Sequence, residues 1–204
     1  MKKNLLKFVL PILLPLAAVF VIGPGCGPGP SPTPTPTTCD TTATSQFMNL
    51  YNSFGTDVYS YDLQVYEYTF SSSVNGSICA IGYQGHPNLT GVAAYKIEII
   101  DKASNAVLST GAYSFAASAR SYQSISTVNI TAGTQYIMRR TVINTLGDVS
   151  NTISHFKQIP SPFVPIVHGN LTIHETQTYE VYSASAPYNI TSNGVLPCID
   201  FVLN

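Results

Sequence analysis

Residues 92–101, VAAYKIEIID, read as a β-strand with one wet face. Tyr95, Ile97 and Ile99 fall on one side, Lys96 and Glu98 on the other. That is the two-residue period of a half-buried strand, not the 3.6-residue period of a helix. The turn that follows, KASNA, carries Ser and Asn where a hairpin needs an Asx-type or left-handed residue.

Outward from this strand the same grammar repeats every eight to twelve residues, the spacing of a sandwich or barrel. Strands are predicted at 62–70, 77–84, 107–110, 112–117, 121–130, 135–143, 152–157, 171–175 and 178–184, with SVNGS and NTLGD as further turns. The closing CIDFVLN alternates again, with Ile199, Phe201 and Leu203 inward and Asp200 and Asn204 outward. Strand 62–70 changes phase: Leu63 and Val65 share one face, Tyr66, Tyr68 and Phe70 the other. A bulge or burial on both faces accounts for that. The one helix signal is TSQFMNLYNSFG, where Phe47, Leu50, Tyr51 and Phe54 recur at i, i+3, i+4 and i+7. Ser45 is its cap and Gly55 lies just past its end. The expected fold is an all-β antiparallel sandwich, jelly-roll or Ig-like, with one short N-terminal helix, as a single domain over 45–204.

The first 44 residues have a different composition. Residues 1–25 place Lys2, Lys3 and Lys7 before an apolar run, the layout of an export signal. That run is about 16 residues long and interrupted by Pro11 and Pro15, short of the ~20 that span a bilayer. Residues 26–44 form a Gly/Pro/Thr-rich tether. Its alternating prolines favour polyproline II, and at ~3.1 Å per residue a dozen such residues reach about 37 Å. Without the leader the chain keeps six basic and ten acidic residues, a net charge of −4. With no basic stripe, nucleic acid is not an expected partner.

IGPGC at 22–26 resembles the end of a bacterial lipoprotein signal, with Gly25 before Cys26; Gly23 stands where that family usually places an aliphatic residue. The resemblance implies that Cys26 becomes a lipidated N-terminus. The chain is then expected in the cell envelope, exported and held to a membrane, the outer one, by its lipid. Further on, NGSICAIGYQ, YKIEIIDKASNAVLSTG, TAGTQYIMRR and PCIDFVLN resemble a family of extracellular bacterial β-sandwich domains of unknown function. Such domains accompany carbohydrate-active and adhesive modules. Members often carry Trp in these segments; this chain has none.

If Cys26 is acylated, Cys39, Cys79 and Cys198 remain, an odd number in an oxidising compartment. Three single bridges are open; Cys39–Cys198 is favoured because it ties the start of the domain to its end. No cysteine or histidine spacing matches a metal site, and neither metal nor cofactor is expected. His174 and Glu175, neighbours on a strand, should point to opposite faces, and so should Arg139 and Arg140. No G-x-S-x-G elbow or paired-carboxylate setting appears, so the chain is not expected to be an enzyme. The 13 tyrosines are mostly assigned to sheet packing. The ligand-binding candidates are Tyr83, Gln84, His86 and Asn88, in the strand-end loop YQGHPNLTG. The expected function is a non-enzymatic binding module for a glycan or other envelope component. The alternative is a structural or assembly subunit of an envelope protein complex.

Overall fold

A computed structural model describes residues 39–55, 58–59, 63–143, 155–160, 162–183 and 186–204. The leader, Cys26, the tether as far as residue 38 and the NTLGD turn lie outside the described residues. In chain order the elements are α1 (Gln46–Asn52), β1 (Val58–Tyr59), β2 (Val65–Ser72), β3 (Gly76–Tyr83), β4 (Tyr95–Asp101), β5 (Val107–Tyr113), β6 (Ser121–Ile130), β7 (Gln135–Val142), β8 (His155–Gln158), β9 (Ile166–His168), β10 (Leu171–Ser183), β11 (Ala186–Ser192), β12 (Val195–Pro197) and β13 (Asp200–Leu203).

The strands form an antiparallel sandwich. A seven-stranded sheet runs β11-β10-β2-β7-β4-β5, with β9 also paired to β10; a three-stranded sheet runs β13-β3-β6. A further three-stranded sheet runs β1-β8-β12, and its Leu196 joins the main core. β3 pairs with β6 in one sheet while β4 pairs with β7 in the other. This interlocked arrangement is the B–E and C–F pairing of Ig-type sandwiches.

The core is where the inner faces meet. Tyr95, Ile97 and Ile99 of β4 are buried in it, as their alternation requires. Phe70 and Phe201 bring the sheets together with ring centroids 4.8 Å apart, and Tyr83 meets Tyr95 at 5.0 Å. α1 adds its apolar stripe to the same core: Phe47, Leu50 and Tyr51 are buried, and Phe47 stacks on Tyr68 at 5.1 Å. Ser45 caps the helix by accepting from the Met48 amide.

The phase change in strand 62–70 is two-sided burial. β2 lies between β10 and β7, and all eight of its residues are buried. Two pairs of predicted strands are continuous. The 107–110 segment and the first two residues of 112–117 are β5, which passes through Gly111, where a Cβ would stand 2.3 Å from the Tyr113 hydroxyl, and ends at Tyr113. The segments at 171–175 and 178–184 are β10, thirteen residues long.

Two expectations are corrected. The bridge is Cys39–Cys79, and Cys198 takes no part in it. Cys79 lies on the outward face of β3 beside Val202 and Tyr122, where the segment before α1 crosses the sheet. Cys198 sits in the bend ahead of β13, closed by Ile199 N–H donating to the Pro197 carbonyl, and its sulfur lies 3.8 Å from Met48 Sδ. Asp200, expected outward in water, is fully buried. It does leave the outer face of β13, but Tyr122, Arg120 and Ser45 close over it.

Candidate functional site

The loop predicted as a site is built for packing. Tyr83 is buried against Tyr95 and Phe115, and its hydroxyl has no hydrogen-bond partner among the described residues. Gln84 is spent on the Ala117 carbonyl at 2.7 Å. His86 is buried; its Nδ1 accepts from the Asn88 amide at 3.2 Å and caps the 3-10 turn Pro87–Leu89. The His86 amide donates to the Tyr95 hydroxyl at 2.7 Å. Burial pushes the Tyr95 phenol up to about 12. Only Asn88 faces solvent. The four residues are neighbours, but they do not present a common surface.

The tyrosines follow the same rule. Tyr51, Tyr66, Tyr68, Tyr83, Tyr95 and Tyr136 are buried, and Tyr113, Tyr122 and Tyr179 are half-buried. The Arg139/Arg140 pair splits as strand geometry demands. Arg140 is fully buried, its guanidinium 4.4 Å from the Tyr66 ring centre, and it donates to the Gln64 carbonyl at 3.1 Å. Arg139 goes outward.

That outward direction leads to the best-built polar surface, the solvent side of the seven-stranded sheet. Strand registers set Gln177, Glu67, Arg139, Glu98 and Thr110 opposite one another across five strands. Arg139 Nε donates to Glu67 Oε2 at 2.5 Å, and the Tyr179 hydroxyl donates to the same oxygen at 3.1 Å. Lys96 pairs with Glu98 at 2.7 Å. Burial of the Arg139 guanidinium disfavours its charge, but Glu67 beside it outweighs that and raises its pKa. Burial, then Glu67, holds the Tyr179 phenol up at about 12.

A second cluster adjoins this row because β10 carries a bulge. Ile173 pairs with Phe70 and Glu175 with the next residue of β2, Thr69, leaving His174 as the extra residue. The bulge corrects the expectation that His174 and Glu175 point apart. His174 Nε2 lies 2.8 Å from Ser71 Oγ, while Glu175 accepts from Thr69 Oγ1 at 2.9 Å and from Lys102. Ser71 and Thr69 are two apart on β2, so both residues serve one face. The Lys102 hydrogen bond draws the Glu175 carboxyl below its usual pKa; burial, then Lys102, lowers His174. Three ion pairs, Lys96–Glu98, Lys102–Glu175 and Arg139–Glu67, belong to this surface. No group of three or more His, Cys, Asp or Glu that could hold a metal occurs among the described residues.

A further ion pair, with Arg120, belongs to Asp200. Oδ1 accepts from Ser45 Oγ at 2.5 Å and from the Phe201 amide at 2.7 Å; Oδ2 accepts from the Tyr122 hydroxyl at 2.5 Å and faces Arg120 Nε at 3.2 Å. Gly82 makes room for this: a Cβ there would stand 2.6 Å from the Tyr122 ring. A cleft of about 170 Å³ lies beside it, lined by residues 43–46 and 202–204 with Asp40. Sequence reasoning missed both polar clusters. The signal of the sheet-face cluster was the charged positions of β2, β4 and β7 taken together, which register alone aligns.

No known family model matches the chain, and comparison with characterised proteins finds no match.

Proposed function

We propose that the chain is a lipid-anchored, extracytoplasmic β-sandwich that works by binding, with a glycan or another envelope component as its ligand. The anchor reading is carried by IGPGC and the Pro/Thr run after it. The binding reading is carried by one observation: Glu67, Arg139, Glu98, Lys96 and Tyr179 gather donors and acceptors on one broad sheet face. Such a face offers many hydrogen bonds and part of one aromatic ring, which suits a hydroxyl-rich ligand. The buried Tyr83 of the 83–91 loop does not contribute. Intact mass of the membrane-extracted protein tests the anchor: a chain starting at Cys26 with acyl chains added supports it, and a bare thiol or another start overturns it. A glycan panel tests the ligand, with loss of all binding in Arg139→Ala as the supporting result.

An assembly role is the second reading, and β5 favours it. β5 pairs only with β4 among the described residues, and Val107 and Leu108 on it are 50% and 42% exposed. Open edges of that kind accept a further strand.

A further inference from the structure

We infer that the ligand of the outward sheet face is an uncharged linear saccharide, lying across the strands along Gln177, Glu67, Arg139, Glu98 and Thr110. This rests on the binding reading above and adds the chemical class. The face carries three carboxylates, Glu67, Glu98 and Glu175, and three cations, Lys96, Arg139 and Lys102. Each cation is already held by a carboxylate of the same face. The Glu67 and Glu98 side chains are only 11% and 10% exposed, whereas Arg139 and Lys96 are 28% and 41% exposed.

An anionic ligand would have to draw Arg139 or Lys96 away from these carboxylates. It would leave a nearly buried negative charge unpaired, the most costly outcome for such a pair. The whole chain is itself net negative, at −1 with its leader, so no long-range field compensates. A cationic ligand meets the mirror problem, because every carboxylate is matched. Neutral hydroxyls escape both. A carboxylate has about four lone-pair sites and a guanidinium five donors, so the existing pairs leave capacity on both sides. A hydroxyl can donate to Glu98 or accept from Arg139 without breaking either pair. Five strands at ~4.8 Å spacing make the row roughly 19 Å long, an extended track. Its flanking rows hold the half-buried Tyr179 on one side and the half-buried Ile137 on the other, against which the carbon faces of sugar rings can rest.

The test uses the full chain in detergent micelles, titrated calorimetrically at low and high salt. Malto-, cello- and chito-oligosaccharides are the neutral probes, and oligogalacturonides the anionic one. The expected result is binding of a neutral probe that barely changes with salt. Glu98→Gln and Tyr179→Leu, each checked for a native circular dichroism spectrum, should each weaken it by about tenfold or more, the loss of a hydrogen bond to a charged group. Val164→Ser, off the face, should leave it unchanged. Tighter binding of the oligogalacturonide that fades with salt overturns the inference and leaves the binding reading standing. Failure of every saccharide to bind overturns the inference and, with it, the glycan half of the binding reading.

Discussion

Asp200 carries more of the fold than its place in a short closing strand suggests. Its carboxylate collects Ser45, Tyr122, Arg120 and its neighbour's amide, so it fastens the helix cap and β6 to β13. Asp200→Asn replaces one acceptor oxygen by a donor that faces donors, and should cost about 2–4 kcal/mol, read as a fall in the denaturant midpoint. Burial raises the Asp200 pKa above 3.8, against the opposing pull of its hydrogen bonds. The folded chain therefore binds this proton more tightly than the unfolded one. Its contribution is greatest below 3.8 and is lost as pH rises through the raised folded value. The midpoint gap between wild type and Asp200→Asn should accordingly be wider at acid pH than at neutral pH; an unchanged gap would refute the raised pKa. Period-two reading put Asp200 on the outer face, which is correct. It could not show that this face is roofed, because the roof comes from residues 78 and 155 positions away.

Among the elements, β4 was legible almost residue for residue, since Tyr95, Ile97 and Ile99 keep one inner face; β6 was legible in its bounds, but a register shift between its pairings with Ile78 and Ala80 changes its phase. β10 was not, because its bulge is invisible to an alternation count. Glu175 and the residues after it keep their faces only because His174 is extra: Thr176 and Thr178 are buried with Tyr68 and Tyr66, and Gln177 pairs outward with Glu67. Deleting His174 should therefore restore a regular ladder with every other side chain on its present face. The deletion should fold, with a loss of about 2 kcal/mol or less, judged by thermal melting and a dispersed amide spectrum. Deleting Gln177 flips the strand beyond it and should prevent folding. If both deletions behave alike, the bulge assignment is wrong. The tyrosines of β2 and β3 had the opposite problem: sequence shows that they are aromatic strand residues but not which sheet faces the core.

At the scale of the whole molecule, the cysteines decide how the N-terminal segment is held. Sequence order made Cys39–Cys198 attractive as a link from start to end. In space the two termini of the domain already meet, because β13 lies directly against β3, and Asn204 Nδ2 donates to Cys79 Sγ at 3.1 Å. A bridge to Cys198 would therefore add little that strand pairing lacks. The Cys39–Cys79 bridge instead closes a loop with a sequence separation of 40, containing α1 and β2. For a loop of that size, restricting the unfolded chain stabilises the fold by about 4 kcal/mol in the chain-entropy account. Cys79→Ser, or reduction of the wild type, should lower stability by roughly that amount, measured by guanidinium unfolding with and without reductant. Cys198→Ser replaces a sulfur packed near Met48 and should cost about 1 kcal/mol or less. Reductant should then have no further effect on Cys79→Ser but the full effect on Cys198→Ser. The reverse pattern would place the bridge on Cys198 and detach the segment before α1 from the outer face of β3.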